Sequence, residues 1–189
     1  MTATIATPRT YLETTFPGLH ATPGAELPFA PELHVRAFLL EREHGNILVH
    51  SAPALADVAD RIDGLGGAAW QYLGHWHEAM FLPPELVERL GARVVVHAAD
   101  IAETAARTGV QPTTFSRRAS LGDGFEIVPI PGHTPGATAF LFEHDDHRFL
   151  FTGDSLYLRD GEWVAAVLDS SDRASYVESL DLIRTLEFD

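Results

Sequence analysis

Residues 130–140, IPGHTPGATAF, decide how this chain is read. The run FEIVPIPGH (125–133) is a strand that ends in a Pro-Gly loop, and a second Pro-Gly corner follows at Pro135-Gly136. His133 sits between the two corners. There the backbone can bend sharply and deliver a ring nitrogen at the strand end, where a loop carried by a rigid scaffold usually does its chemistry.

A second histidine-bearing segment, YLGHWHEAMF (72–81), follows the short apolar strand AAWQYLGH (68–75). On an extended backbone residues i and i+2 share a face, so His75 and His77 can aim at one point. The same alternation sends Trp76 and Glu78 to the opposite face. That leaves Trp76 as a candidate pocket or interface wall and gives Glu78 no part in the site. The pair alone is a weak signal in a chain with ten histidines. With His133 added there are three, the usual protein complement of an open catalytic zinc site. FLFTGDSLY (149–157) places Asp154 at the tip of another buried strand, immediately after Gly153. An aspartate there is either a metal ligand or a loop cap.

The remaining elements alternate between strand and helix. HVRAFLLEREHGNILVHS (34–51) reads as two strands joined by a tight turn at HGN. PALADVADRIDGLGG (53–67) and LPPELVERLGA (82–92) read as helices with proline entries and glycine stops. RVVVH (93–97) is a buried strand, followed by a helix around DIAETAART (100–108) and a polar, irregular stretch. ATAFLFEHDDHRFLFTGD (137–154) is a hairpin across Asp-Asp, and SDRASYVESLDLIRTLEF (171–188) is an amphipathic helix with apolar Tyr176, Leu180, Ile183 and Leu186. This alternation favours layered α/β packing in one domain over residues 1–189.

Composition removes several functions. All 13 basic residues are arginine, against 27 acidic ones, and the net charge of −14 repels polyanions, so nucleic acid is not an expected partner. There is no cysteine, which leaves histidine nitrogen and carboxylate oxygen as the only strong metal ligands. The first eighteen residues lack a basic and apolar leader and no apolar run is long enough to span a bilayer; the expectation is a cytoplasmic protein with no membrane partner. The glycines of GLGGA (64–68) precede a strand instead of opening a helix, and no GxSxG elbow occurs.

Together these segments resemble the metallo-β-lactamase fold superfamily, including the glyoxalase II-like thioester hydrolases. The family's HxHxDH motif falls on His75, Trp76, His77, Glu78, Ala79 and Met80; its PGHTPG segment is Pro131 to Gly136, and its TGD segment is Thr152 to Asp154. The resemblance implies a four-layer αββα sandwich of two mixed β-sheets flanked by helices, with a metal site at one edge. It implies that His75, His77 and His133 hold a first metal ion. The second ion would need the DH pair, here Ala79 and Met80, the bridging aspartate, here Asp154, and a late histidine on one more strand. The sequence ends at TLEFD, where that strand would begin. His50, in LVHSAP, replaces the usual loop aspartate and is read as a structural histidine before a supporting or substitute ligand; His97 is also read as structural.

Two functions follow. One is a metal-dependent hydrolase of the ester, thioester or lactone class. Water activated by one zinc ion, with iron or manganese as alternatives, would attack a small-molecule substrate at a mononuclear His75, His77, His133 site, with Asp154 as weak ligand or orienting catalytic group. The alternative is a degenerate member of the fold with weak or no metal that binds a small molecule or a partner. A homodimer is compatible with either.

Overall fold

Alternation within the apolar strands creates three buried faces, and a computed structural model shows what covers each of them over residues 12–189, the residues it describes. The leader reading of the first eighteen residues falls largely on residues 1–11, which lie outside that range. In chain order the strands are β1 (Glu13–Phe16), β2 (Leu19–Ala21), β3 (Ala25–Leu27), β4 (Ala30–Val35), β5 (Phe38–Leu40), β6 (Ile47–Val49), β7 (Trp70–Tyr72), β8 (Arg93–His97) and β9 (Thr113–Phe115), then β10 (Ala119–Ser120), β11 (Phe125–Pro129), β12 (Thr138–His144), β13 (His147–Phe151), β14 (Tyr157–Arg159) and β15 (Glu162–Val164). The helices are α1 (Ala59–Gly64), α2 (Pro84–Leu90), α3 (Ile101–Thr108) and α4 (Arg173–Ile183).

The larger sheet has the order β1-β2-β5-β6-β7-β8-β9 and is mixed: antiparallel as far as β6, then parallel through β7, β8 and β9. The second sheet, β10-β11-β12-β13, is antiparallel throughout. Strands buried on both faces read as unbroken hydrophobic runs, and the two faces of each run part company here. Leu40, Ile47, Val49 and Val95 point inward and meet Phe125, Ile127, Phe140 and Phe142 of the second sheet. Their neighbours Leu39, Leu48, Val94 and Val96 point outward onto Leu55, Ile62, Leu86 and Leu90 of the first helical layer. On the other side Val128, Ile130, Ala139 and Leu141 pack against Ile183 of α4. The result is helix, sheet, sheet, helix. Each Val, Leu, Ile or Phe among them contributes about 1.5–3 kcal/mol when fully buried.

The elements depart from the sequence reading in places. The hairpin across HGN forms, with Leu40 opposite Ile47, but His34 belongs to a separate β3–β4 pair. The polar stretch after α3 supplies β9 and β10, because an edge strand can be polar on its solvent side. Helix α2 ends as expected on Gly91, whose φ of 64° is left-handed, and Asp172 caps α4 by accepting from the Ala174 and Ser175 N–H groups. At the end of the chain Asp189 lies along the β13 edge: its N–H donates to the Arg148 carbonyl and its carboxylate accepts from the Arg148 N–H. Among the described residues no helix is long and apolar enough to cross a membrane.

Candidate metal centre

Strand direction brings the chemistry to one edge. β6, β7 and β8 are parallel, so the residues that follow them, His50, His75 and Asp100, emerge at the same end of the sheet. In the second sheet β11 and β13 both run antiparallel to β12 and therefore parallel to each other. The residues after them, His133 and Asp154, also share an end. The two sets meet between the sheets.

His75, His77 and His133 form the cluster, with one ring nitrogen from each within 4.8 Å of the others. His77 Nδ1 lies 3.3 Å from His133 Nε2. Two nitrogens bound at the usual zinc distance on a tetrahedral ion would be about 3.4 Å apart. The three rings stand edge-on to one another, with interplanar angles of 79–88°. His75 Nε2 is buried and has no hydrogen-bond partner. A buried nitrogen that can shed its proton, beside two more imidazole nitrogens and with Asp154 Oδ2 3.3 Å away, fits a divalent metal ion.

The distal nitrogens of two of these rings are held. His133 Nδ1 donates to the Ala166 carbonyl at 2.7 Å, and His75 Nδ1 donates to Glu78 Oε1 at 3.1 Å. Both acceptors hold a proton on Nδ1 and turn Nε2 toward the cluster, the support commonly seen behind metal-ligating histidines. His77 has a different support: its ring lies 3.8 Å from that of Trp76, and the Arg107 guanidinium sits 4.5 Å over the Trp76 ring.

Glu78 corrects the sequence reading. His75 is extended, but residues 76–81 form a 3₁₀ helix, so the alternation that placed Glu78 on the far face stops at His75. The tight turn folds Glu78 back under His75, where it is 5% exposed. It accepts four hydrogen bonds, from His75 Nδ1, His50 Nδ1 (2.8 Å), the Gly74 N–H (3.1 Å) and the Ser51 N–H (3.2 Å). His50 and His75 thus share one carboxylate oxygen. Ala79 belongs to the outer apolar cluster with Leu73, Leu82 and Val96, and Met80 faces solvent.

Asp154 does not cap its loop. No side chain caps that 3₁₀ turn, and Asp154 Oδ2 instead lies 3.3 Å from His75 Nε2 with the side chain 39% exposed. Burial pushes the His75 pKa down, yet Asp154 and Glu78 on either side outweigh it and raise the value to about 10. Burial raises Glu78, but His50 and His75 bring it down to about 2. Asp154 is held well below the usual carboxylate range because His75 outweighs its own burial. Burial and the adjacent imidazoles lower His77 to about 4, and burial followed by His75 lowers His133.

Sequence reasoning missed Asp100. It is buried, and Oδ2 accepts from the Trp76 N–H (3.0 Å) and the Thr134 hydroxyl (2.9 Å) while Oδ1 accepts from the Gly136 N–H (3.0 Å). One carboxylate therefore ties the HWH turn to the PGHTPG loop. A Cβ on Gly136 would lie 2.5 Å from Asp100 Cγ, which explains the second Pro-Gly corner. The available signal was position: an aspartate directly after a parallel strand, at the entry to a helix. His97, read as structural, accepts the Ala99 N–H and packs on Phe115.

The sequence profile of the metallo-beta-lactamase superfamily matches residues 66–189. Among solved structures, DIM-1 metallo-beta-lactamase exposed to ceftazidime is similar with a TM-score of 0.70 at 14% identity, over 92% of this chain and 83% of that one. An N-acyl homoserine lactone hydrolase with the product N-hexanoyl-L-homoserine bound at its catalytic metal center gives 0.62 at 16% identity, over 80% and 76%. The metallo-beta-lactamase GOB-18 from Elizabethkingia meningoseptica gives 0.59 at 18% identity, over 82% and 68%. At these identities the likeness is one of fold. A comparison with curated proteins finds no match.

Proposed function

The chain belongs to the metallo-beta-lactamase superfamily, and from that premise we propose that it is a mononuclear metal-dependent hydrolase of a small-molecule ester, thioester or lactone. The observation that carries this reading is the convergence of His75, His77 and His133, with two of the three rings held by distal acceptors. These three histidines would hold the ion; zinc is the first choice for three imidazoles, with iron or manganese as alternatives. A bound zinc ion supplies Lewis acidity and lowers the pKa of water to about 7.

The protein's own groups do the rest. Asp154, anionic at neutral pH and partly open to solvent, accepts a hydrogen bond and so orients the attacking water. A carboxylate held that low is a poor general base, so its part is orientation and charge, not outright proton abstraction. Trp76 walls the site beside His77. The choice of a lactone or thioester rests on likeness to the lactone hydrolase and on the family's range.

Elemental analysis of untagged protein purified without added metal tests the reading. About one equivalent is expected, lost in His133→Ala, with lactone or thioester hydrolysis lost in His75→Ala. Near-zero metal in the parent, unchanged by His133→Ala, would sink it. That outcome would favour the second reading, a degenerate binding module, whose supporting observation is that Ala79 and Met80 stand in place of two further ligands.

A further inference from the structure

We propose that Glu78 is a positioning residue, a carboxylate that serves the metal centre from behind His75 and is locked there by His50. The proposal rests on the metal-centre reading above. Three imidazoles bring no charge to a divalent ion, Asp154 is the one carboxylate on the open side of His75, and the position where the superfamily motif carries an aspartate ligand holds Ala79. One residue earlier, Glu78 brings a carboxylate to the opposite side of His75, 3.1 Å from Nδ1, while Nε2 of the same ring is the buried atom without a hydrogen-bond partner. A negative group hydrogen-bonded to the distal nitrogen fixes the tautomer and strengthens the ligand through the ring.

The surroundings are built for this carboxylate. Three of its four donors converge on Oε1 and the fourth, the Ser51 N–H, falls on Oε2; two of the four are main-chain N–H groups, at Gly74 and Ser51. His50, which holds Oε1 at 2.8 Å, adopts a left-handed φ of 63°, uncommon for a residue with a side chain. Two hydrogen bonds keep it there: its N–H donates to the Tyr72 carbonyl at 2.9 Å, and buried Gln71 Nε2 donates to its carbonyl at 2.6 Å. Gly74 must lack a side chain, since a Cβ would come within 2.8 Å of Glu78 Oε1 and 2.9 Å of His50 Cε1. Backbone held in a sparsely populated conformation around one buried acceptor is a pattern that clusters at functional sites.

The test is Glu78→Gln, which keeps shape and removes charge, with His50→Asn as a second variant acting from the other end of the arm. Zinc affinity is read by competition with a chromophoric chelator, and the geometry by the visible spectrum of the cobalt-loaded protein. Glu78→Gln should bind zinc about 10- to 100-fold more weakly with a shifted cobalt band. His50→Asn should shift both in the same direction by less. Unchanged affinity, or weaker binding with an unchanged cobalt spectrum, in Glu78→Gln overturns the proposal. If Glu78→Gln fails to fold, His50→Asn decides by the same criteria. A parent that binds no metal overturns the metal-centre reading itself, whereas a parent that binds one ion no better than Glu78→Gln overturns only the role of Glu78.

Discussion

The carboxylate of Asp100 lies 3.0 Å from the backbone N–H of Trp76, the residue between the two histidines of the HWH turn. Because its other contacts are on Thr134 and Gly136, this one side chain ties the turn that carries His77 to the loop that carries His133. Asp100→Asn puts an amide NH₂ against N–H and O–H donors and should cost about 2–4 kcal/mol in urea unfolding. Thr134→Val removes a single donor and should cost about 1 kcal/mol. An Asp100→Asn protein as stable as the parent would show that the two loops hold themselves in place.

Metal uptake should release a proton. In the metal-free site His75 sits between Asp154 and Glu78 with its pKa raised to about 10, so near neutral pH the ring carries two protons. An ion that takes Nε2 must expel one of them. Affinity should therefore rise with pH, by about tenfold per unit below that value, as expected when one proton leaves per ion. His77, lowered to about 4, is already neutral and adds nothing in this range. Calorimetric titration in two buffers of different ionisation enthalpy counts the protons. A count near zero would mean that His75 is not a ligand.

The Arg107–Trp76–His77 stack gives a spectroscopic handle. Trp76 lies 3.8 Å from the His77 ring, and cobalt bound at His77 should quench its fluorescence. Trp76→Phe should abolish most of the quenching while weakening cobalt binding by less than about tenfold, since the ring contact alone contributes only about 0.5–1.5 kcal/mol. Quenching that survives in Trp76→Phe would place the ion nearer Trp70 or Trp163.

The layers and the three histidines were legible because both rest on local pattern. Unbroken apolar runs mark strands buried on two faces, and Pro-Gly corners mark the loop that carries His133. What escaped was decided by tertiary context. Whether residues after His75 continue extended or tighten into a 3₁₀ turn depends on Glu78 finding His50 and the Ser51 N–H, a partner set 27 and 28 residues away in sequence. Asp100 likewise looks like a helix entry until Thr134 and Gly136, more than thirty residues on, arrive at its oxygens. The hairpin β14–β15 escaped for another reason: its strands are short and largely exposed, with no apolar alternation to read.

Ala79 poses the last test, because the superfamily motif marks it as a lost ligand while its packing marks it as core. It is 1% exposed and sits in the cluster with Leu73, Leu82 and Val96, where an added carboxylate would meet methyl groups. Ala79→Asp should therefore destabilise the protein by about 2–4 kcal/mol and leave the ion count at the parent's value. Ala79→Asn, similar in volume but uncharged, separates charge from size and should cost less. Saturating zinc should raise the melting temperature of Ala79→Asp by no more than it raises the parent's, since zinc gains no new ligand. An Ala79→Asp protein that matches the parent's stability and binds two ions would show instead that the backbone at residue 79 still faces the site, and that one substitution separates a one-ion centre from a two-ion centre.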